Sequence, residues 1–206
     1  VMGITPKYEK TLVLNGDMPL IQSSELEKFQ QHDETIVMSV LKLDNPNGYG
    51  RVVIENDKVQ KIVEQKDANE AQKLIKTVNA GIYQFETAFL LENLPKLSNA
   101  NVQKEYYITD LVEIAISASK TLFPLLVSEE NFKGVNSKVE LAQAEVIHQD
   151  RIKENFLSNG VIMRLPSTIY IEEGVEIKGE SILENGVTLL GNTKIYNSHI
   201  KTNSIV

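Results

Sequence analysis

A period of six residues near one end constrains this chain more than any other feature of it. Ile171, Ile177, Leu183, Leu189 and Ile195 are all aliphatic, and Val175, Ser181, Val187, Thr193 and His199, each four residues later, are mostly small or β-branched. Six residues rotate an α-helix by about 600°, so a helix cannot hold this phase, and an ordinary strand would need an apolar residue at every second place. What survives is a solenoid of short strands, each sending one aliphatic residue into a stacked core. After Ile195 the phase slips, with Lys201 on the expected aliphatic position and Ile200 just before it. Only about two turns fit, and arrays of this kind want ~3 units or more, so the repeat reads as cut short.

Upstream the pattern changes. "SKVELAQAEVIHQDRIKENFLSNG" reads as one long polar helix with apolar residues at Val139, Ala142, Val146 and Ile152, and Gly160 is the expected stop. We read it as a linker lying on a surface. Before it, "TLVLNGD" reads as a short buried strand, "SSELEKFQQH" as a helix with Ser24 and Glu27 as a capping box, and "TIVMSVLKL" as a second strand. "VVIENDKVQKIVEQKD" is a hairpin about the polar "ENDK" turn. Asp67 with Glu70 caps a short helix, "IKTVNAGIYQF" is a strand, "TAFLLENL" a helix, and Asp110 with Glu113 caps another before the strand "TLFPLLVS". Strands alternating with helices predict an α/β layered domain with a largely parallel sheet. The expected organisation is an α/β domain over residues 1–137, a linker helix over 138–160 and the start of a solenoid over 161–206.

Charge and composition narrow the functions. With 28 acidic against 21 basic residues the formal net charge is −7, which disfavours nucleic acid as a partner because such faces need clustered Lys and Arg. Cysteine is absent, so there is no disulfide frame, thiolate nucleophile or Cys-ligated zinc, in keeping with a cytoplasmic location. No apolar stretch approaches the ~20 residues that span a bilayer, and the opening "VMGITPKYEK" lacks the regions of a signal peptide. Because that opening is not a Met, the sequence is expected to be a piece of something longer. His32 and His148 fall in polar helical segments and are expected in solvent, and His199 at a partly buried corner of the repeat.

One stretch poses a chemical question. In "LVLNGDMPLI", residues 12–21, an aliphatic run ends on Asp17, held between a glycine and a proline. An unpaired carboxylate is costly to bury, so Asp17 needs a partner. A turn in which it bonds its own backbone would supply one, and so would a metal ion.

"LVLNGDMPLI", "NPNGYGRVV", "KIVEQKDA", "VNAGIY", "NANVQKEYYITDLVE" and "GVNSKVELAQAE", followed by the six-residue repeat, cover essentially the whole chain in this order. The ordered set resembles the family of bifunctional bacterial N-acetylglucosamine-1-phosphate uridyltransferases / glucosamine-1-phosphate N-acetyltransferases. The resemblance implies a Rossmann-like α/β nucleotidyltransferase domain, incomplete at its start, a linker helix, and the first coils of a left-handed parallel β-helix that forms homotrimers. It implies Mg²⁺-dependent transfer of UMP from UTP to N-acetylglucosamine 1-phosphate, giving UDP-N-acetylglucosamine and pyrophosphate for cell-wall precursors. The family's glycine-rich loop with its Arg and Lys, and the segment that reads the uracil, belong upstream of Val1. Its acetyl-CoA site belongs beyond Val206, so the chain alone is expected to be inactive in both half-reactions. Two alternatives stay open: a hexose-1-phosphate nucleotidyltransferase of other base or sugar specificity, and a non-catalytic trimerising scaffold.

The resemblance also assigns residues. Asp17 is implied as the catalytic carboxylate and Mg²⁺ ligand, with Asn136 of "GVN" as second ligand. Such a place beyond the carboxyl end of a strand is where open α/β sheets hold ligands, and Mg²⁺ favours one or two protein oxygens plus waters and phosphates. An acidic protein bringing two anionic reactants together needs such a cation. Asn15 and Gly16 flank the nucleotide at the metal end, although many family members carry a tyrosine where Asn15 stands. Gly50 matches a position whose backbone approaches the sugar. Glu64 and Asn79 match residues that hold the hydroxyls and acetamide of N-acetylglucosamine. Glu105 and Tyr107 line the same pocket, with Tyr106 facing oppositely if the segment is extended. The ordinary uses of these residue types are a turn Asp, an N-cap Asn, a loop Gly, a strand-end Glu, a turn Asn and packing tyrosines.

Overall fold

The computed structural model describes residues 7–99 and 104–206, so the first six residues and the Ala100–Gln103 part of "NANVQK" lie outside the described residues. The chain divides into two units, Val1–Gly134 and Val135–Val206. Among the described residues no helix is long and apolar enough to cross a membrane.

In the first unit β1 (Lys10–Val13), β2 (Ile36–Lys42), β3 (Arg51–Glu55), β4 (Lys58–Val63), β5 (Thr77–Glu86) and β6 (Leu122–Leu126) share one sheet. Their order is β4-β3-β5-β2-β6, with β1 paired to β5. Helices α1 (Ser23–Phe29), α2 (Glu70–Lys73), α3 (Thr87–Asn93) and α4 (Asp110–Ser117) connect them. Side chains alternate across the central strands, so the apolar residues split into two cores. Met38, Tyr83 and Phe85 pack with Phe89 and Leu111 on one face, and Val37, Val78 and Ile82 with Phe29 and Phe132 on the other. Burying each such side chain is worth about 1.5–3 kcal/mol.

The sheet differs from the expectation in direction. Among the described pairs only β2 with β6 is parallel; β1 with β5, β2 with β5, β3 with β4 and β3 with β5 are antiparallel. A parallel neighbour needs a crossover of about a dozen residues, whereas Asn56 and Asp57, at φ 50° and 57°, turn β3 straight back into β4. Nor is the run towards Asp17 buried: β1 is half-buried and Leu14–Asp17 are exposed. The carboxylate therefore stands in solvent and carries no burial cost.

Three caps also differ. Helix α1 starts two residues early, behind Gln22, so Ser24 lies inside the helix and caps nothing. In α2 the capping box is Asn69 with Gln72, while Asp67 uses its N–H to close a turn on the Glu64 carbonyl at 3.0 Å. Helix α4 follows Thr109 without a side-chain cap, and Asp110 and Glu113 sit in its first turn, where they complement the helix dipole.

In the second unit Ser137 caps α5 (Lys138–Ser158) by accepting from the Glu140 N–H, and Gly160, at φ +90°, ends it. Seven short strands follow, β7 (Ile162–Met163), β8 (Tyr170–Ile171), β9 (Glu176–Lys178), β10 (Ile182–Leu183), β11 (Thr188–Leu189), β12 (Lys194–Tyr196) and β13 (His199–Ile200). They stack in parallel as β7-β10-β13, β8-β11 and β9-β12. Ile171, Ile177, Leu183, Leu189 and Ile195 are all buried in one core. After the phase slip Ile200 takes the place over Leu183.

Helix α5 is less of a surface element than its sequence suggests. Val139 and Val146 are exposed, while Ala144, Gln149 and Lys153 are buried and Ile152 and Phe156 pack on the strands. Gln149 donates to the Ile171 carbonyl at 2.9 Å and accepts from the Ile171 N–H at 3.1 Å, so the side chain bonds the free edge of β8 as another strand would. The histidines also depart from expectation. His32 is half-buried and stacks on Phe123 with ring centres 3.9 Å apart. His199 is exposed and pairs with Glu184 at 2.8 Å.

Candidate active site

The site begins with a fault in a strand. On one edge of β5, β3 starts beside its first residues, with Arg51 opposite Val78 and the Asn79 N–H donating to the Gly50 carbonyl at 3.1 Å. On the same edge β1 ends beside its last residues, with Val13 opposite Tyr83. Ala80–Ile82 lie between the two strands and pair with neither. On the other edge β2 offers only Ser39 to these three residues, because its register shifts between Met38 and Val40. Strand β5 must bulge there.

Two residues make that bulge tolerable. Gly81 takes φ +85°, a region that costs a residue with a Cβ about 1–2 kcal/mol. Ser39, fully buried, donates its hydroxyl to the Ile82 carbonyl at 3.0 Å and accepts from the Ile82 N–H at 2.9 Å. The backbone groups freed by the bulge are thus satisfied. The Asn79 Oδ1 accepts from the Gly81 N–H at 3.0 Å, which fixes that amide over the fault.

Other elements converge on this notch. The chain leaving β1 carries Asn15 over Gly81, its Nδ2 only 2.5 Å from where a Cβ on Gly81 would stand. A Cβ on Gly50 would lie 3.2 Å from Glu64 Oε1, so the bare Cα of Gly50 faces that exposed carboxylate. Arg51 is fully buried and donates Nη1 to the Tyr49 carbonyl, anchoring the peptide before Gly50. Its Nε and Nη2 have no partner among the described residues. Burial pushes the Tyr83 phenol well above its ordinary range; the Asn79 amide opposes this rise and the Glu64 carboxylate adds to it. The Tyr107 phenol is also raised, by desolvation first and then by the carboxylates of Glu105, Asp110 and Glu64. Both tyrosines therefore lie within electrostatic reach of Glu64.

Asn15, Gly50, Glu64 and Asn79 accordingly gather about one break in the sheet edge, the charges of Glu105 and Glu64 act on Tyr107, and Gly16 and Asp17 follow Asn15 in the exposed loop. Asn136 belongs to the second unit. There its backbone N–H donates to Glu140 Oε2 at 2.8 Å, and Ser137, not Asn136, is the N-cap of α5. Ser39, Gly81 and Tyr83 were not expected in the site. A lone hydroxyl within the apolar run "TIVMSVLKL" is the signal that points to Ser39, since a buried polar group must be paired.

The amide and carboxylate gathered at a break in the sheet of this layered α/β unit are hydrogen-bonding groups of the kind that a polar ligand takes. Residues 2–130 match the family model described as nucleotidyl transferase, and the chain belongs to that family. Its α/β fold is the Rossmann-like one of nucleotidyltransferases. It is 76% identical over 206 residues to the bifunctional protein GlmU of Aliarcobacter butzleri, covering 100% of this chain and 48% of that protein. To the bifunctional protein GlmU of a Sulfurovum species it is 53% identical over 204 residues, covering 99% of this chain and 47% of that one. The chain thus spans about half the length of the curated relatives it matches.

Among solved structures, a Bacillus anthracis protein described as a glucose-1-phosphate thymidylyltransferase matches with TM-score 0.50 and 20% identity, over 69% of this chain and 55% of that one. A CMP:2-keto-3-deoxy-manno-octonic acid synthetase complexed with CTP matches with TM-score 0.50 and 14% identity, over 71% and 64% of the two chains. At these identities the likeness is one of fold.

Proposed function

We propose that this chain carries the sugar-binding side of a uridyl-transfer site, in a protein that joins UTP and N-acetylglucosamine 1-phosphate into UDP-N-acetylglucosamine with release of pyrophosphate. The observation that carries the reading is the notch: Asn15, Gly50, Glu64 and Asn79, from four separate stretches, meet at one fault in β5, and Tyr107 lies within electrostatic reach of Glu64. The exposed Glu64 carboxylate is an acceptor for sugar hydroxyls, and the Asn79 amide suits an acetamide. The bare Cα of Gly50 leaves room for the Glu64 carboxylate to lie against the strand, where it can take part in holding the sugar.

The attacking group is a phosphate oxygen, already an anion at neutral pH, so the site needs position and charge neutralisation more than a base. Mg²⁺ supplies that neutralisation when bound. The exposed carboxylate of Asp17 is a hard oxygen donor in the loop beyond β1, which fits one protein ligand of such an ion, and Asn136 is the proposed second. The second unit is proposed as a linker helix and the first coils of a left-handed β-helix. Through that β-helix the whole protein, which we place in the cytoplasm, forms homotrimers and acetylates glucosamine 1-phosphate from acetyl-CoA in a part outside this sequence.

The test is a melt of the full-length gene product with Mg²⁺ and UDP-N-acetylglucosamine. A ligand bound only to the folded state at a hundred times its Kd stabilises by about 2.7 kcal/mol, so Tm rises, and Asp17→Ala removes the Mg²⁺-dependent part of the rise. No shift at saturating ligand favours a non-catalytic scaffold. A shift with another sugar nucleotide alone favours the hexose-phosphate alternative.

A further inference from the structure

Tyr83 is fully buried in β5, yet its hydroxyl has no hydrogen-bond partner among the described residues. It faces away from the core that Val78, Ala80 and Ile82 enter, on the side of the strand that also carries Asn79. Gly81 puts no side chain between them. The ring stacks on Phe85 with centroids 5.7 Å apart, so it is held in place along its body and uncommitted only at its tip. The Asn79 amide and the charge of the Glu64 carboxylate both act on that tip.

An unpaired buried hydroxyl costs about 1–3 kcal/mol, and phenylalanine would fill the same space without that cost. Asn79 already spends its Oδ1 on the Gly81 N–H, so its Nδ2 is the atom that could donate to the phenol. Glu64 is exposed, one residue past the end of β4.

We propose that Tyr83 is a positioning residue for the sugar half of the substrate. Its hydroxyl gains its bond when a bound N-acetylamino sugar draws the Glu64 carboxylate inward over the notch, the phenol donating to Glu64 and accepting from the Asn79 amide. The two side chains that touch the sugar are thereby locked to one another through a group that does not touch it. The inference rests on the reading of the notch as a sugar pocket.

Tyr83→Phe in the full-length gene product tests it, with steady-state kinetics for both substrates and a melt without ligand. The expected result is a KM for N-acetylglucosamine 1-phosphate raised at least about fivefold, an unchanged KM for UTP, an unchanged kcat, and a ligand-free Tm equal to or above that of the parent. A purely structural tyrosine gives the reverse: a lower Tm with both KM values unchanged, or raised alike, and either overturns the proposal. If the parent protein does not turn over N-acetylglucosamine 1-phosphate at all, the pocket reading fails and Tyr83 falls with it. If the parent does and Tyr83→Phe is its kinetic equal, Tyr83 alone is refuted.

Discussion

Replacing Ser39 by alanine removes one oxygen from the centre of the sheet. That oxygen is the partner of both the N–H and the C=O of Ile82, at 2.9 and 3.0 Å, and all three groups lie in a fully buried part of the strand pair. Each backbone group left unpaired costs about 1–3 kcal/mol, and partial relaxation of the bulge recovers some of it, so the net loss works out at about 2–4 kcal/mol. Overpacking does not arise, because alanine is smaller. With a urea m value of about 2 kcal/mol/M, the unfolding midpoint of the first unit falls by about 1–2 M. Amide exchange at Ile82 accelerates in the same variant while exchange at Val37 slows or quickens only with global stability. A loss under about 0.5 kcal/mol, or unchanged Ile82 protection, would show that the bulge does not depend on this hydroxyl.

Gly81→Ala forces a Cβ into φ +85° and against the Asn15 amide, so it destabilises by about 1–2 kcal/mol in denaturant unfolding. Asn15→Ala in the same chain restores part of this, and an additive double-mutant cycle would exclude the contact. Gln149→Ala strips the partners from the Ile171 N–H and C=O and costs about 1–3 kcal/mol in a thermal melt; an unchanged Tm counts against the edge role. Hydrogen bonds from Thr202 hold the Glu184 carboxyl down from its ordinary 4.5 to about 2, with His199 and Lys201 adding. Because the folded value is depressed, the stabilisation is complete above about pH 4.5 and is lost as pH falls towards 2. Glu184→Gln should therefore lower Tm at pH 6 and match the parent at pH 2, and a constant difference across that range would contradict the assignment.

Strand and helix positions in this chain were legible wherever apolar periodicity was strong, as in "TIVMSVLKL" and "IKTVNAGIYQF". Direction was not, because alternating elements look alike whether a strand inserts parallel or antiparallel, and the position of β5 between β2 and β3 is a tertiary choice. Caps failed where two residues of boundary error moved Ser24 from cap to helix interior. Of the site, the residues with polar side chains or a glycine in a motif could be named from resemblance. The bulge that assembles them could not, since it arises from a register shift between two strands distant in sequence. Gln149 was hidden for a similar reason: a glutamine on a polar helix gives no sign that its amide will meet a strand edge.

That amide has a consequence for how the molecule behaves among its neighbours. A short strand with free peptide groups invites any passing extended chain, and repeat proteins made of such strands are prone to join end to end. By filling both bonding positions of Ile171 with a side chain anchored on α5, the protein closes that face of its first coil to recruitment. Gln149 works there as a chain terminator does in a polymerisation, and a variant without it should show its loss first as self-association on concentration, before any loss of fold.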